Sequence, residues 1–358
     1  MRRATAEAAL RAAIAACDPT PRTLRGLLTP HAPPPPVRPA VVPRLHGLAI
    51  GKAALAMARG VPVVHGGLVI APSDDGRGVP DGWRLMLGGH PDPDERSVAA
   101  GAAALALVEA VGEGEQLLAL ISGGASALCE QPLVPLAELR ARIAALVAAG
   151  APIAEVNAAR TARSALKGGK LAARCAGYIL TLVASDVVGD DPRVVGSGPT
   201  VGRATDAVAI VSPMRSFAEA LGAALGLPVL DPPLTGDVEA VAARLAAEAP
   251  GFVAWGEPTL ALPATPGRGG RAQHLALLLA RALRGSPRAA LVAASDGVDG
   301  PPPTAAGAFV DGATWDTLAE PAAALARFDA GTVLGEHLVR TGPTGINHGD
   351  VVVIARSP

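Results

Sequence analysis

The 358-residue sequence predicts an α/β protein of two domains. Three observations carry that expectation. Strand-like and helix-like segments alternate along the chain. Some strands are apolar throughout, as when helices cover both faces of a parallel sheet. Several strands run into glycine or aspartate turns, where open α/β sheets gather their ligands. The length suits two domains of about 100–200 residues each.

The N-terminal "MRRATAEAALRAAIAACDP" reads as an amphipathic helix ending before Pro19, since Glu7 and Arg11 interrupt any signal-peptide core. "HAPPPPVRPA", residues 31–40, reads as an extended surface connection. "HGLAIG" is a strand, followed by an alanine-rich helix from about Lys52. "GGLVIA" and "WRLMLGG" are short strands. "DERSVAAGAAALALVEAVG" is a helix with acids in its first turn, and "QLLALISGG" a strand entering a glycine turn. "LAELRARIAALVAAG" is a helix closed by Gly150, and "YILTLVASD" a continuous apolar strand. A second set starts near Gly251: "GFVAWG", "TLALPA", the helix "AQHLALLLARALRG", "AALVAASDG" and "DVVVIA". The boundary falls between about 230 and 250, giving domains 1–240 and 241–358.

Composition excludes some functions. Half the residues are hydrophobic, but aromatics are only 2% and the net charge is -1. Without basic runs or stacking aromatics, nucleic-acid binding is not expected. No apolar run approaches the ~18 residues of a membrane span. Cys17, Cys129 and Cys175 are scattered and odd in number. They form neither a disulfide framework nor a metal knuckle, which fits a reducing cytoplasm.

Lys52 follows Gly51 at a helix start, where the helix dipole is already positive. Arg271 repeats the pattern behind Gly267, Gly269 and Gly270. A bound anion between helix and side chain would turn both placements favourable. Ser122, Gly123, Gly124 and Ser126 form a second glycine turn suited to phosphate. No P-loop, nucleophile elbow or G-x-G-x-x-G fingerprint occurs. Asp186, Asp190 and Asp191 lie past one strand, Asp296 and Asp299 past another. Carboxylates there can hold Mg²⁺ together with waters and phosphate oxygens, although at least two of the five are expected as turn or helix caps. "GSGPT", residues 196–200, reads as a shaped turn, and His90 as a polar loop residue with substrate contact as the alternative.

"GKAALAMA", "GGHPDPDERSVAAG", "LISGGASAL", "NAARTARSALKGGKLA", "SDVVGDDPRVVGSGPT", "GEPTL", "GRGGRAQHLAL", "SDGVDGPPPTAAGAFVD" and "GPTGINHGDVVV" stand in one order across residues 47–353. In that order they resemble the glycerate 2-kinases that carry a MOFRL domain. The resemblance implies two Rossmann-like α/β domains with an interdomain active-site cleft. It implies ATP-dependent phosphorylation of the 2-hydroxyl of D-glycerate, assisted by Mg²⁺, by a cytoplasmic monomer or homodimer. The family's essential lysine and arginine fall on Lys52 and Arg271. They would clamp phosphates or the acid's carboxylate, with Gly51, the serine–glycine turn and Gly267, Gly269 and Gly270 as the phosphate cradle. Asp186 is assigned to the reacting hydroxyl and Asp190, Asp191 and Asp296 to the metal, with the division among the first three left open. Some members are labelled hydroxypyruvate reductase, so a reductase is the alternative, and a non-catalytic ligand-binding relative is a third reading.

The chain departs from the family's usual "NxVRxHLSxxKGG" at Ala162, which replaces histidine. It departs from "GGRNQE" at Ala272, in place of asparagine, and at His274, in place of glutamate. Two lost polar contacts predict weak use of D-glycerate and preference for another hydroxy acid.

Overall fold

The computed structural model describes residues 1–29, 44–62, 64–149, 153–263, 265–302 and 305–357. The expected extended connection at 31–40 and the helix-closing Gly150 lie outside the described residues. Contacts divide the chain into two compact units, 18–213 and 1–17 with 214–358, whereas the sequence suggests a boundary at 240/241. The helices that position the residues of interest are, in chain order, α1 (Arg3–Ala16), α2 (Pro19–Leu28), α3 (Ala54–Arg59), α4 (Glu95–Glu109), α5 (Ala125–Leu128), α6 (Leu136–Ala148), α7 (Ile153–Ala162), α8 (Ser216–Leu225), α9 (Val238–Ala247) and α10 (Arg271–Ala282).

Unit 18–213 is built on a six-stranded sheet of β1 (Leu45–Ile50), β2 (Gly66–Ala71), β3 (Trp83–Leu87), β4 (Gln116–Ser122), β5 (Tyr178–Ala184) and β6 (Ala207–Ser212). The order is β3-β2-β1-β4-β5-β6, and every pairing is parallel. The unbroken apolar strands are explained by two separate cores. Leu117, Ala119 and Ile121 of β4 pack with Ala100, Ala104 and Val108 of α4. Leu118 and Leu120 pack on the opposite face with Ala54, Leu55 and Met57 of α3. Alternate residues of one strand thus enter different cores, and residues 117–121 of β4 are all apolar. α4 starts where expected. The Asp94 carboxylate accepts the Ser97 N–H at 3.0 Å while the Ser97 hydroxyl accepts the Asp94 N–H, a reciprocal capping box.

The second unit carries β7 (Phe252–Gly256), β8 (Arg288–Ala294), β9 (Gly307–Asp311), β10 (Leu338–Val339) and β11 (Asp350–Arg356), in the order β10-β9-β8-β11-β7. Every pairing between these strands is antiparallel, which corrects the expectation of a second parallel, Rossmann-like sheet. The reason lies in the last strand. β7, α10 and β8 do form a crossover with the two strands parallel in direction, as the sequence pattern suggests. β11 then inserts between them and runs against both. Residues 259–263 of "TLALPA" are not a strand: Thr259 makes a single bridge to Asp237, Pro258 precedes the stretch and Pro263 lies within it.

This sheet is also covered on both faces. Val352 and Ile354 of β11 pack with Leu275 and Leu279 of α10. Val351 and Val353 pack with Phe217 of α8 and with Ala6, Leu10 and Ala13 of α1. α1 therefore belongs with residues from the far end of the chain, a long-range closure that local pattern does not reveal.

Candidate active site

In the parallel sheet β1 and β4 are neighbours, and the chain winds away from them in opposite directions. That reversal leaves a crevice at the carboxyl ends of the two strands, the preferred ligand position in such sheets. The turn after β1 is Gly51–Lys52–Ala53, and the turn after β4 is Ser122–Gly123–Gly124. The two are clasped together. The Lys52 N–H donates to the Gly123 carbonyl at 2.9 Å, and the Ala53 N–H donates to the Ser122 hydroxyl at 3.1 Å. Gly51 has φ +131°, and a Cβ there would lie 2.1 Å from the Ser122 hydroxyl oxygen. Only glycine permits this approach.

Gly124, at φ +83°, precedes α5. A Cβ on it would lie 3.1 Å from His90 Cδ2, 3.3 Å from His90 Nε2 and 3.3 Å from Lys52 Cγ. The imidazole and the lysine stem therefore flank one glycine at the mouth of the crevice. α3 begins at Ala54 and has only six residues, so Lys52 sits in the turn rather than in a helix. A short helix has little dipole, and the placement of Lys52 is better explained by the clasped turns than by a helix start.

Ser126 joins the same edge. Its hydroxyl accepts from the Ser197 hydroxyl at 3.0 Å. Ser197 is held in turn by the loop at 167–170: the Gly168 N–H donates to the Ser197 carbonyl at 2.8 Å and the Gly169 N–H to the Gly198 carbonyl at 2.9 Å. Lys167 and Glu130, each about 1% exposed, form a buried ion pair. Glu130 also accepts from the Ser164 hydroxyl at 2.5 Å and the Gln131 N–H at 2.9 Å. Burial pushes the Lys167 ammonium below its ordinary range, with Glu130 opposing the shift. Burial also pushes the neighbouring Cys129 thiol up to about 12, which removes it as a thiolate nucleophile at neutral pH.

Asp186 is half-buried just past β5, and Asp190 holds a left-handed backbone at φ 52°. The Asp191 carboxylate is engaged by Arg193, through its N–H and its guanidinium, and these hydrogen bonds hold it below the usual carboxylate range. Among the described residues no group of three or more His, Cys, Asp or Glu side chains could hold a metal ion. The expected set Asp190, Asp191 and Asp296 is divided between the two units.

Around Arg271 the turn expected as an anion cradle is contacted by acids of the protein itself. α10 has twelve residues and Gly270 as N-cap. Its first free N–H groups, on Ala272 and Gln273, are taken at 2.9 and 2.7 Å by the buried Asp299 carboxylate. Arg271 Nε donates to Asp350 Oδ2 at 2.6 Å, and Nη1 to Glu257 Oε1 at 3.3 Å. The anions that the sequence pattern demands are thus the protein's own. Burial works against the Arg271 charge, but Asp350 outweighs it and holds the guanidinium above its ordinary range. Burial, reinforced by the Asp350 charge, raises the Asp299 carboxyl to about 6. The glycines serve packing: a Cβ on Gly270 would lie 2.4 Å from Asp299 Oδ1, one on Gly267 would lie 2.5 Å from Asp329 Cβ, and one on Gly269 would lie 2.7 Å from the Gly331 nitrogen. Asp296 accepts the Val298 N–H, an ordinary turn bond.

Comparison with known proteins identifies the family. Residues 5–221 match the family model described as "Domain of unknown function (DUF4147)", and residues 251–350 match the MOFRL family. The chain belongs to this family. It is 35% identical to an Agrobacterium vitis protein with the provisional description hydroxypyruvate reductase, covering 85% of this chain and 97% of that one. It is 30% identical to the D-glycerate 2-kinase of Thermotoga maritima, covering 86% and 89%. Among solved structures, a glycerate kinase from Thermotoga maritima superposes with a TM-score of 0.83 at 26% identity, over 99% of both chains.

Two of the three departures from the MOFRL-bearing family's pattern are core positions. Ala272 is fully buried in the α10 core. His274 is 4% exposed and stacks on Phe328 with ring centroids 5.0 Å apart. Neither presents a polar group to solvent, so of the two lost contacts expected at Ala162 and Ala272, the one at Ala272 is not supported. Ala162 is exposed at the end of α7. From sequence, His90 reads as a loop residue, and Asp350, Glu257 and the Lys167–Glu130 pair carry no separate signal. The glycine pair ahead of His90, at the end of a strand, is the one cue that places it at the crevice.

Proposed function

We propose that this chain is an ATP-dependent kinase that phosphorylates the 2-hydroxyl of D-glycerate or a closely related small hydroxy acid. The observation that carries the reading is the clasp of the Lys52 turn to the Ser122–Gly124 turn at the β1/β4 crevice, with His90 alongside. Phosphoryl transfer needs positioning and charge neutralisation more than covalent chemistry, and Lys52 supplies a half-buried cation beside the glycine turn. Ser122 fixes the turn, Ser126 with Ser197 shapes its far side, and His90 contributes a polar contact. Asp186 and Asp190 offer hard oxygen donors past β5, the chemistry that suits Mg²⁺ arriving with nucleotide phosphates. When bound, the ion would neutralise charge between those phosphates. Arg271 is a separate part of the proposal: its guanidinium, held by Asp350 and Glu257, would contribute positive charge and not a free two-pronged contact.

Similarity to the D-glycerate 2-kinase of Thermotoga maritima and to the solved glycerate kinase supports the substrate class. Three buried free cysteines fit a reducing cytoplasm, and among the described residues no helix is long and apolar enough to cross a membrane. The descriptions of the Agrobacterium vitis relatives favour hydroxypyruvate reduction as the second reading. Against it, the β1–α3 turn has no dinucleotide fingerprint, and Ser122 fills the space beside Gly51. The test is to incubate the protein with ATP, Mg²⁺ and D-glycerate and follow 2-phosphoglycerate by phosphorus NMR. NADH oxidation with hydroxypyruvate is measured in parallel. Phosphorylated acid without NADH oxidation is expected, and the reverse overturns the proposal.

A further inference from the structure

The Glu130–Lys167 ion pair is closed to solvent, and no step of the phosphoryl-transfer reading uses it. Taking two charges out of water costs free energy that their attraction only partly offsets, and an apolar pair of similar volume commonly serves stability as well or better. The pair therefore calls for a reason other than stability, and its neighbours supply one. On one side, the Glu130 N–H donates to the Ser97 carbonyl at 3.1 Å, and a Cβ on Gly101 of α4 would lie 2.1 Å from the Glu130 carbonyl oxygen. Ser97 is also the residue whose hydroxyl accepts the Gly89 N–H at 2.8 Å, directly ahead of His90. On the other side, Lys167 is followed by Gly168 and Gly169, whose N–H groups donate to the Ser197 and Gly198 carbonyls, and the Ser197 hydroxyl donates to Ser126. Glu130 Oε1 accepts from the Ser164 hydroxyl and the Gln131 N–H, while Oε2 accepts from the Lys167 ammonium. Lys170 donates to the Thr161 and Ser164 carbonyls at 2.7 Å each, so the loop around Lys167 is tied from both ends. A continuous chain of bonds thus runs from the His90 loop, through Glu130 and Lys167, to the Ser126–Ser197 edge.

We propose that Glu130 and Lys167 are positioning residues for the crevice: their ion pair holds the His90 loop and the Ser126–Ser197 edge in register around the Lys52 turn. The inference rests on the kinase reading, which gives that register its purpose. The Lys52 turn itself does not depend on the pair, because its own hydrogen bonds clasp it to Ser122 and Gly123. Holding phosphate and placing the edge are therefore separable. A misplacement of about 1 Å among groups that flank the reacting atoms can cost about 100-fold in rate. An apolar pair could fill the same space, but it has no preferred direction of approach. A charged hydrogen bond fixes one, and with it the place of the two glycines that carry Ser197.

The experiment compares wild type with Lys167→Met and with the double variant Glu130→Gln/Lys167→Met, in which the glutamine keeps the acceptor for Ser164 and Gln131. Four quantities are read: melting temperature, kcat with D-glycerate and ATP, ADP affinity by calorimetry, and hydrogen exchange of the Gly89, Gly168 and Gly169 amides by NMR. Lys167→Met strands a buried carboxylate and should lower the melting temperature by about 10 °C. The double variant should melt within about 5 °C of wild type. Its kcat should nevertheless fall by about 10–100-fold, with ADP affinity within about threefold. Its three glycine amides should exchange at least about tenfold faster while amides of β1 and β4 keep their protection. Wild-type kcat and exchange in a stable double variant would overturn the inference and leave the kinase reading intact. Loss of kcat together with an equal loss of ADP affinity and faster exchange throughout the sheet would also overturn it, as general loosening. If the double variant does not fold, Glu130→Asp keeps the charge and shortens the arm. It should show the same local exchange and loss of kcat to a smaller degree, and wild-type behaviour there would overturn the inference. A wild type that transfers no phosphate, with local exchange changing in the variants as expected, would uphold the positioning pair and sink the kinase reading.

Discussion

At the β1–α3 turn, Lys52 stands behind a glycine, flanked by His90 and by backbone that another turn has clasped in place. At the start of α10, Arg271 also stands behind glycines. There two carboxylates hold the guanidinium, and a third caps the helix. The two stretches read alike in sequence, a lone cation after a glycine turn, yet one builds an edge around a crevice and the other closes on itself. The difference is made by acids far along the chain: Asp299 lies 27 residues from Ala272 and Asp350 lies 79 from Arg271. A cation behind glycines therefore signals an anion without telling whether the anion is a ligand or part of the protein.

The largest expected contrast is in stability. Arg271→Met leaves Asp350, 2% exposed, as a buried charge without its partner. Breaking such a pair costs about 3 kcal/mol, and the melting temperature should fall by about 6–12 °C. Lys52→Met should shift it by no more than about 2 °C, as for an ordinary half-exposed position. Equal shifts in calorimetric scans would erase the contrast. The next effect concerns Ala272, fully buried in the α10 core. Restoring the family's asparagine there should destabilise the fold by about 1–3 kcal/mol, because a polar amide enters an apolar cluster. A gain in D-glycerate turnover instead, without loss of stability, would show that this position belongs to a pocket.

The smallest effect is a pH dependence. The Asp299 carboxyl, raised to about 6 by burial and by Asp350, keeps its proton where the unfolded chain has already released it. Its contribution to stability therefore falls as pH rises from about 4 to about 6. Arg271, Glu257 and Asp296 share the same cluster and set the background. Asp299→Asn should remove that fall, seen as a flatter plot of melting temperature against pH. An unchanged slope would mean that Asp299 is charged throughout.

Much of the parallel unit was legible in the sequence, because its strands are unbroken apolar runs ending in glycine turns. "QLLALISGG" specifies a buried strand, its direction and its turn at once. The antiparallel unit was less legible. Its pattern of strand, helix and strand is a genuine crossover, but nothing local announces that β11 inserts between β7 and β8. The same limit hid the place of α1, whose apolar stripe is plain while its partners, Phe217 and Val353, lie more than 200 residues away. At the candidate site, Lys52 and the serine–glycine turn stand out in the sequence because glycine has few reasons to precede a strand-end cation. His90 was weighed as a loop residue, since only the folded sheet brings the end of β3 beside Gly124. At least two of the five aspartates were expected as turn or helix caps, but not which ones, because a carboxylate that clasps Arg193 or caps α10 looks the same in sequence as one awaiting an ion.

The central claim is that the Lys52 turn does chemistry rather than packing. It is tested most directly by measuring ATP-dependent formation of 2-phosphoglycerate from D-glycerate by wild type and Lys52→Ala, with melting temperatures recorded for both. The expected result is a fall in kcat/KM of about 100- to 1000-fold, as for loss of a group that stabilises developing charge, with the melting temperature nearly unchanged. Turnover within a few-fold of wild type in a folded Lys52→Ala protein would contradict the account.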